Sequence, residues 1–366
     1  MVPFPTEEPS PLDVLGRTRA EPASLQASPV EVECVVYLDG IRLPDTLSPL
    51  AAAQEVRRLT QAGRHAFVGL SLTEPDEDQM TSVDAAFGLG ARAIEDALHI
   101  HRRPSLRRGG DLVSMVFKTV DYVPHESVLT AGKIAETGEE MVIVGPDVVI
   151  AVGHGVHGGL DGLRDELEHR PALLSLGPVA VLLGIAERVV NTNYDVAALI
   201  KADIDAVELQ TFSLANALDM QAIYLIKRDV VNLHRAIGPL TRALRTIADD
   251  HQELLPAEVQ PYLNQVVERQ AEAAELIANH DDRLSVLLRA AHARVDVQQN
   301  VDMRKISAWA AMAVAVTTIT GICSMNFTQM QGVVGLDAPW GYPAALVFIT
   351  TFCGLLLVMF RRKHWL

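Results

Sequence analysis

Asn326 stands with Ser324 and Met325 in the stretch GICSMNF, residues 321–327, where one long apolar run ends and shortly before another begins. An amide and a hydroxyl with no charge beside them are poor acids, bases and nucleophiles. Their chemistry is that of neutral oxygens, which accept hydrogen bonds from water without holding it as an ion would. The plainer role for Asn326 is to cap the C-terminus of a helix, a place Asn often fills. A second set of candidates lies upstream. Glu95 and Asp96 are adjacent carboxylates in ARAIEDALHIH, followed by His99 and His101, and GHGVHGG contains His154 and His157. Histidines two or three residues apart with no cysteine beside them do not make a zinc site by themselves, so a structural role is the expectation.

The elements around Asn326 are membrane-sized. ISAWAAMAVAVTTITGICSM (306–325) and GYPAALVFITTFCGLLLVMF (341–360) contain no charged residue, and each would span about 30 Å as a helix, the thickness of a hydrocarbon core. Arg304 and Lys305 precede the first, Arg361, Arg362 and Lys363 follow the second, and the loop 326–340 holds no Lys or Arg. Positive flanks stay inside, so both termini are expected in the cytoplasm and the loop outside, in a multi-pass protein of the plasma (inner) membrane. Trp309, Trp340, Tyr342 and Trp365 sit where interfacial aromatics would anchor.

Composition agrees. Five of the 31 basic and two of the 46 acidic residues follow position 300, which leaves 26 basic and 44 acidic before it, a net of −18. Such a region repels nucleic acid and attracts cations. Cys34, Cys323 and Cys353 are few and far apart, so no disulfide framework is implied. The Pro-rich, acidic residues 1–29 read as a disordered tail.

From about residue 30 to 177, β-branched runs (VECVVYLDG, AFVGLSL, LVSMVFKTVDYV, MVIVGPDVVIAVG) alternate with helical spacings (LAAAQEVRRLTQ, ARAIEDALHIH), the pattern of an α/β domain. From 178 to 305 helical stretches take over. Between Pro261 and Gly321 no Gly or Pro occurs in 59 residues, enough for one helix of about 88 Å. Along it Asp296, Asn300, Met303, Ser307, Ala310, Val314, Thr317, Gly321 and Ser324 recur at steps of three and four, a heptad seam. Its small members either let helices approach closely or line a watery path through an oligomer. Both readings stand.

GICSMNF, then WGYP, then a second span ending FRRKHWL resembles the CorA family of magnesium transporters, whose signature is Gly-Met-Asn after the first of two C-terminal spans. AIEDALHIHRRP (93–104), VDYVPHES and IYLIKRDVVNLHRAIGPL are similar to upstream family segments, so the likeness covers nearly the whole chain beyond the tail. The resemblance implies an α+β fold: a cytoplasmic α/β domain, long stalk helices, two transmembrane helices and a homopentameric funnel in the lipid bilayer. It implies transport of hydrated Mg²⁺, with Co²⁺ or Ni²⁺ as further cargo, Mg²⁺ as a possible regulator, no organic cofactor, no nucleic-acid partner and no enzymatic activity. Asn326, Met325 and Ser324 would then select the ion. Gly321, Thr317, Val314, Ala310, Ile306, Met303 and Asn300 would line the pore, with Thr317 offering oxygen and Val314, Ile306 and Met303 constricting. Rotation of the helix by about 50°, half the turn of one residue, would exchange several of these. Asp296 is as readily a solvated stalk charge as a cation concentrator.

Three departures stand out. The signature glycine is Ser324, the loop TQMQGVVGLDAP lacks the family's acid outside the pore, and Gln265 occupies the stalk position of a regulatory carboxylate. A cytoplasmic metal site would then rest on Asp96, Glu95 and Glu268. Two alternatives stay open: a zinc transporter of the ZntB type, and a membrane-anchored sensor or scaffold that does not transport.

Overall fold

The computed structural model describes residues 34–100, 103–128, 131–156, 160, 162–212, 220–250, 256–323 and 341–363. The expected tail 1–29, the loop 326–340, Ser324, Met325, Asn326, His101 and His157 lie outside the described residues.

Seven strands form one sheet: β1 (Cys34–Leu38), β2 (Ile41–Arg42), β3 (Ala66–Thr73), β4 (Ser105–Gly109), β5 (Leu112–Tyr122), β6 (Ala135–Val144) and β7 (Val148–His154). Their order is β2-β1-β3-β7-β6-β5-β4, and only β3 and β7 run parallel. Both faces are covered, so the strands read as apolar runs whose neighbours part to opposite sides. Val36, Val68, Met141, Ile143, Val148 and Ile150 enter one core with α1 (Pro49–Gln61), α2 (Glu77–Phe87) and α3 (Ala91–Leu98). Val35, Phe67, Met115, Phe117, Val142 and Val149 enter the other, against α4 (Leu163–Glu168), α5 (Pro171–Leu174) and the long helices. The run MVIVGPDVVIAVG is thus two strands, turned back at Gly145–Asp147, where Gly145 N–H donates to Val148 O at 2.8 Å.

The long helices are α6 (Pro178–Phe212), α7 (Met220–Asp250) and α8 (Gln260–Cys323). A helix starts at residue 178 as the sequence suggests, but packing does not pause there. Leu182, Ile185, Ala186 and Val189 of α6 share a core with the sheet, with Leu244 of α7 and with Leu263 and Val266 of α8. Further along, Ile200 and Ile204 meet Ile223, Ile226 and Leu233, and Ile277, Leu284 and Leu287. Sheet and stalk are one packed body.

Helix α8 is 64 residues long, about 96 Å. Pro261 lies in its first turn and Gly321 in its last, and with no Gly or Pro between them nothing interrupts it. Helix α9 (Gly341–Arg362) returns alongside, and Ala308 and Met312 of α8 are buried with Phe360. Among the described residues no helix is long and apolar enough to cross a membrane. The described side chains carry only 306–321 of the first expected span and part of the second, with Arg304, Lys305, Arg361, Arg362 and Lys363 at their edges.

Candidate functional site

Ala291 is the last fully buried residue of α8 before Ala308. Beyond it the helix has an inner and an outer side, set by α9. Ala308 and Met312 face α9, and at about 100° per residue they fix that direction. Met303, Ser307, Ala310, Val314, Thr317 and Gly321 fall on the opposite side, and all are exposed. Asn300 and Asp296 continue the same exposed face, and Ile306 lies at its margin. The described part of the seam, from Asp296 to Gly321, therefore points away from α9.

Two hydrogen bonds give that face its chemistry. Thr317 Oγ1 donates to Ala313 O at 2.8 Å, so the proton is committed to the helix and the oxygen is left as an acceptor. Asn300 Nδ2 donates to Asp296 O at 2.9 Å, which leaves Oδ1 as an acceptor. Both are neutral oxygens on the seam, suited to the hydrogens of water. Between and beyond them Met303 (62 % exposed), Ile306 and Val314 present bare apolar surface.

The expected carboxylate site has a different geometry. Asp96 is ion-paired to Arg107 of β4, and Arg92, Glu95, His99 and Arg107 border the same surface cleft. Glu95 and Glu268 are exposed. Helix α3, which carries Glu95 and Asp96, packs on one face of the sheet, whereas the Val266–Val267 turn beside Glu268 packs on the other. One chain therefore cannot bring Asp96 and Glu268 together, because its own sheet lies between them. Among the described residues no group of three or more His, Cys, Asp or Glu side chains is placed to hold a metal ion.

Of the candidate histidines, His154 and His99 are among the described residues, and both are held by hydrogen bonds. His154 Nδ1 lies 2.9 Å from Glu74 Oε2 and Nε2 lies 2.8 Å from Ala97 O, in the last turn of α3. Both partners are acceptors, so both nitrogens must carry protons. Burial pushes its pKa down, but the hydrogen bonds to Glu74 and Ala97 and the charges of Glu74 and Glu139 outweigh it and the net shift is upward. His99 Nδ1 is bonded at 2.9 Å to Glu95 O, one turn back. Sequence reasoning missed a further polar feature, the buried Glu140 of β6, because Glu-Glu in TGEEMVIV reads as the solvated start of a strand.

A family model of the CorA-like Mg²⁺ transporter protein matches residues 65–362. The cobalt/magnesium transport protein CorA of Thermotoga maritima is 24 % identical over 290 residues, 79 % of this chain and 80 % of that protein. The complete CorA magnesium transporter of Methanocaldococcus jannaschii superposes with a TM-score of 0.71 at 12 % identity, over 91 % of this chain and 98 % of its own. The full-length CmaX protein superposes with a TM-score of 0.67 at 18 % identity, over 93 % and 100 %. At those identities the two structures share a fold with this chain.

Proposed function

Because the chain belongs to the CorA-like Mg²⁺ transporter family, matched along most of its length, we propose that it is a homopentameric channel for hydrated divalent cations, with Mg²⁺ as the main cargo. Residues 306–325 and 341–360 are its two membrane spans, with the sheet domain on the cytoplasmic side of the plasma membrane. Five copies of α8 surround the path and five copies of α9 lie outside them.

The observation that carries this reading is the seam. From Asp296 to Gly321 it lies opposite α9 and is exposed in one chain. Mg²⁺ gives up its waters reluctantly. Neutral oxygens on a fivefold axis, Asn326 at the outer mouth with Met325 and Ser324, Thr317 within and Asn300 at the inner exit, accept hydrogen bonds from those waters and release them again. Rings of Val314, Ile306 and Met303 constrict the path between oxygens, and Gly321 and Ala310 leave it wide. The net of −18 before residue 300 concentrates cations on the cytoplasmic side.

A regulatory cation at Asp96, Glu95 and Glu268 is the second part of the proposal, and it requires two chains. Arg107 already neutralises Asp96 and Gln265 adds no charge, so the ion must compete with a guanidinium and binds weakly.

Purified protein in liposomes, with a Mg²⁺ indicator inside, tests the reading. Wild type admits Mg²⁺, and Asn326→Ala loses the flux while the assembly keeps its size. Unchanged flux in that variant removes Asn326 from the mechanism, and no flux in wild type removes transport. Ser324→Gly, run beside them, reads the effect of the altered signature. Zn²⁺ competition separates this proposal from zinc transport.

A further inference from the structure

Between the sheet and helices α4–α6 lies a cavity of about 140 Å³, with Glu140 in its wall. The strand register makes the space. Glu140 of β6 stands opposite Gly153 of β7, Ala151 follows on the same face, and Ser71 and Gly69 of β3 continue it. These small residues leave a trough beside the carboxyl, roofed by the apolar Leu163 and Leu167 of α4 and Ile185 of α6. Glu140 is 6 % exposed and has no hydrogen-bond or ion-pair partner among the described residues. A buried polar side chain left without a partner in a cavity wall calls for a ligand to complete it.

The one charge that acts on Glu140 is negative. Glu139, on the opposite face of β6 and paired with Lys118 at 2.8 Å, adds to burial, and together they push the Glu140 carboxyl up to about 8. Arg164 of α4 borders the cavity, but it is engaged elsewhere and its charge acts on Tyr37, not on Glu140. Tyr37 itself, three strands away on β1, donates to Glu168 at 2.9 Å. An anion is therefore repelled at the Glu140 end. A divalent metal ion finds one carboxylate among apolar walls, too few oxygens to replace its hydration shell. What fits is a cation that brings N–H donors to the carboxylate and apolar surface to the walls. A cavity of about 150 Å³ accepts benzene, so the ligand has no more than about six heavy atoms. We infer that this cavity binds a small primary alkylammonium of the size of n-propylamine, with its ammonium on the Glu140 carboxylate and its chain in the trough over Ala151.

Ligand-observed NMR titration of the full-length protein in detergent tests this with n-propylamine, n-propanol and methylamine as probes. The alcohol keeps the shape without the charge, and methylamine keeps the charge without the chain. At pH 8 n-propylamine binds about tenfold or more tighter than either, two buried methylenes being worth about that much. Its affinity rises between pH 6.5 and 8 as Glu140 gives up its proton, by at most about tenfold per unit. Glu140→Gln removes both the advantage over n-propanol and the pH dependence. Ala151→Leu, which fills the trough and leaves the carboxyl in place, weakens n-propylamine about tenfold. No n-propylamine binding to wild type at millimolar concentration, as from a cavity that holds water only, overturns the assignment. So does n-propanol binding as tightly, or equal affinity in Glu140→Gln. None of these outcomes depends on ion flux.

Discussion

The two halves of α8 are one unbroken helix held in opposite ways. From Leu263 to Ala291 it buries Val266, Gln270, Ala273, Ile277, His280, Leu284 and Leu287 against α6, α7 and the sheet. From His292 to Ser307 no side chain is buried, and over about 24 Å the contacts to the rest of the chain are polar ones near its start, Arg294 Nη1 donating to Thr211 O at 2.6 Å and His292 Nε2 lying 3.4 Å from Tyr224 Oη. An isolated helix of that length is marginal in water. The lower half is therefore stabilised by the fold of one chain, and the upper half by what surrounds it. On the proposed function, that division separates the residues that make the scaffold from those that form the ion path.

The largest expected effect breaks the lower half. Leu284→Ala leaves a cavity in the three-helix core and costs about 2–5 kcal/mol, read by chemical unfolding of the sheet and stalk. Met303→Ala, in the upper half, stays within about 0.5 kcal/mol in the same measurement. Equal losses at the two sites would erase the distinction.

Two buried histidines sharpen it through pH. His280, inside the lower half of α8, donates Nε2–H to Ala197 O at 2.9 Å, and Nδ1 has no partner among the described residues. Burial lowers its pKa, so the folded protein binds fewer protons there than the unfolded chain. Its stability contribution is full above the ordinary histidine pKa and falls away as pH drops through the lowered one. His154 is raised, so its contribution is full below the ordinary value and is lost as pH climbs through the raised one. Neither slope exceeds about 1.4 kcal/mol per pH unit. His280→Gln should flatten the acid side of the unfolding-versus-pH curve and His154→Gln the alkaline side. The reverse assignment would contradict the hydrogen-bond geometry.

A smaller effect belongs to the seam. Thr317→Val keeps the shape and removes one accepting oxygen, worth about 1 kcal/mol, so Mg²⁺ flux falls several-fold while unfolding is unchanged. The smallest concerns Asp96. Arg107→Gln removes an exposed ion pair worth under about 1 kcal/mol, barely changes stability, and strengthens Mg²⁺ binding in titration calorimetry because one competing cation is gone.

Much of this was legible in the sequence, and the rest failed for physical reasons. The Gly- and Pro-free run predicts a helix over 262–320, and α8 spans Gln260–Cys323. The β-branched runs mark β1, β3, β5 and the β6–β7 pair, because strands buried on both faces cannot hide their composition. Strand β4 escaped notice, since SLRRG is an exposed edge whose arginines carry no apolar signal. Helix α2 also escaped, although its Asp76–Gln79 capping box was in view; it buries only Met80, Val83 and Ala86, too narrow a stripe to recognise. The seam could be read at steps of three and four, but not its direction, which only the burial of Ala308 and Met312 against α9 supplies. The separation of Asp96 from Glu268 could not be read at all, because it depends on which face of the sheet each helix covers.

The seam's direction is tested most directly by accessibility. In a background with Cys34, Cys323 and Cys353 replaced by serine, Thr317→Cys places a thiol on the seam and Met312→Cys places one toward α9. Liposome Mg²⁺ flux is then measured before and after a membrane-impermeant, positively charged thiol reagent. The geometry predicts that the reagent blocks Thr317→Cys and spares Met312→Cys. Block of Met312→Cys with Thr317→Cys untouched would put the ion path on the other side of α8.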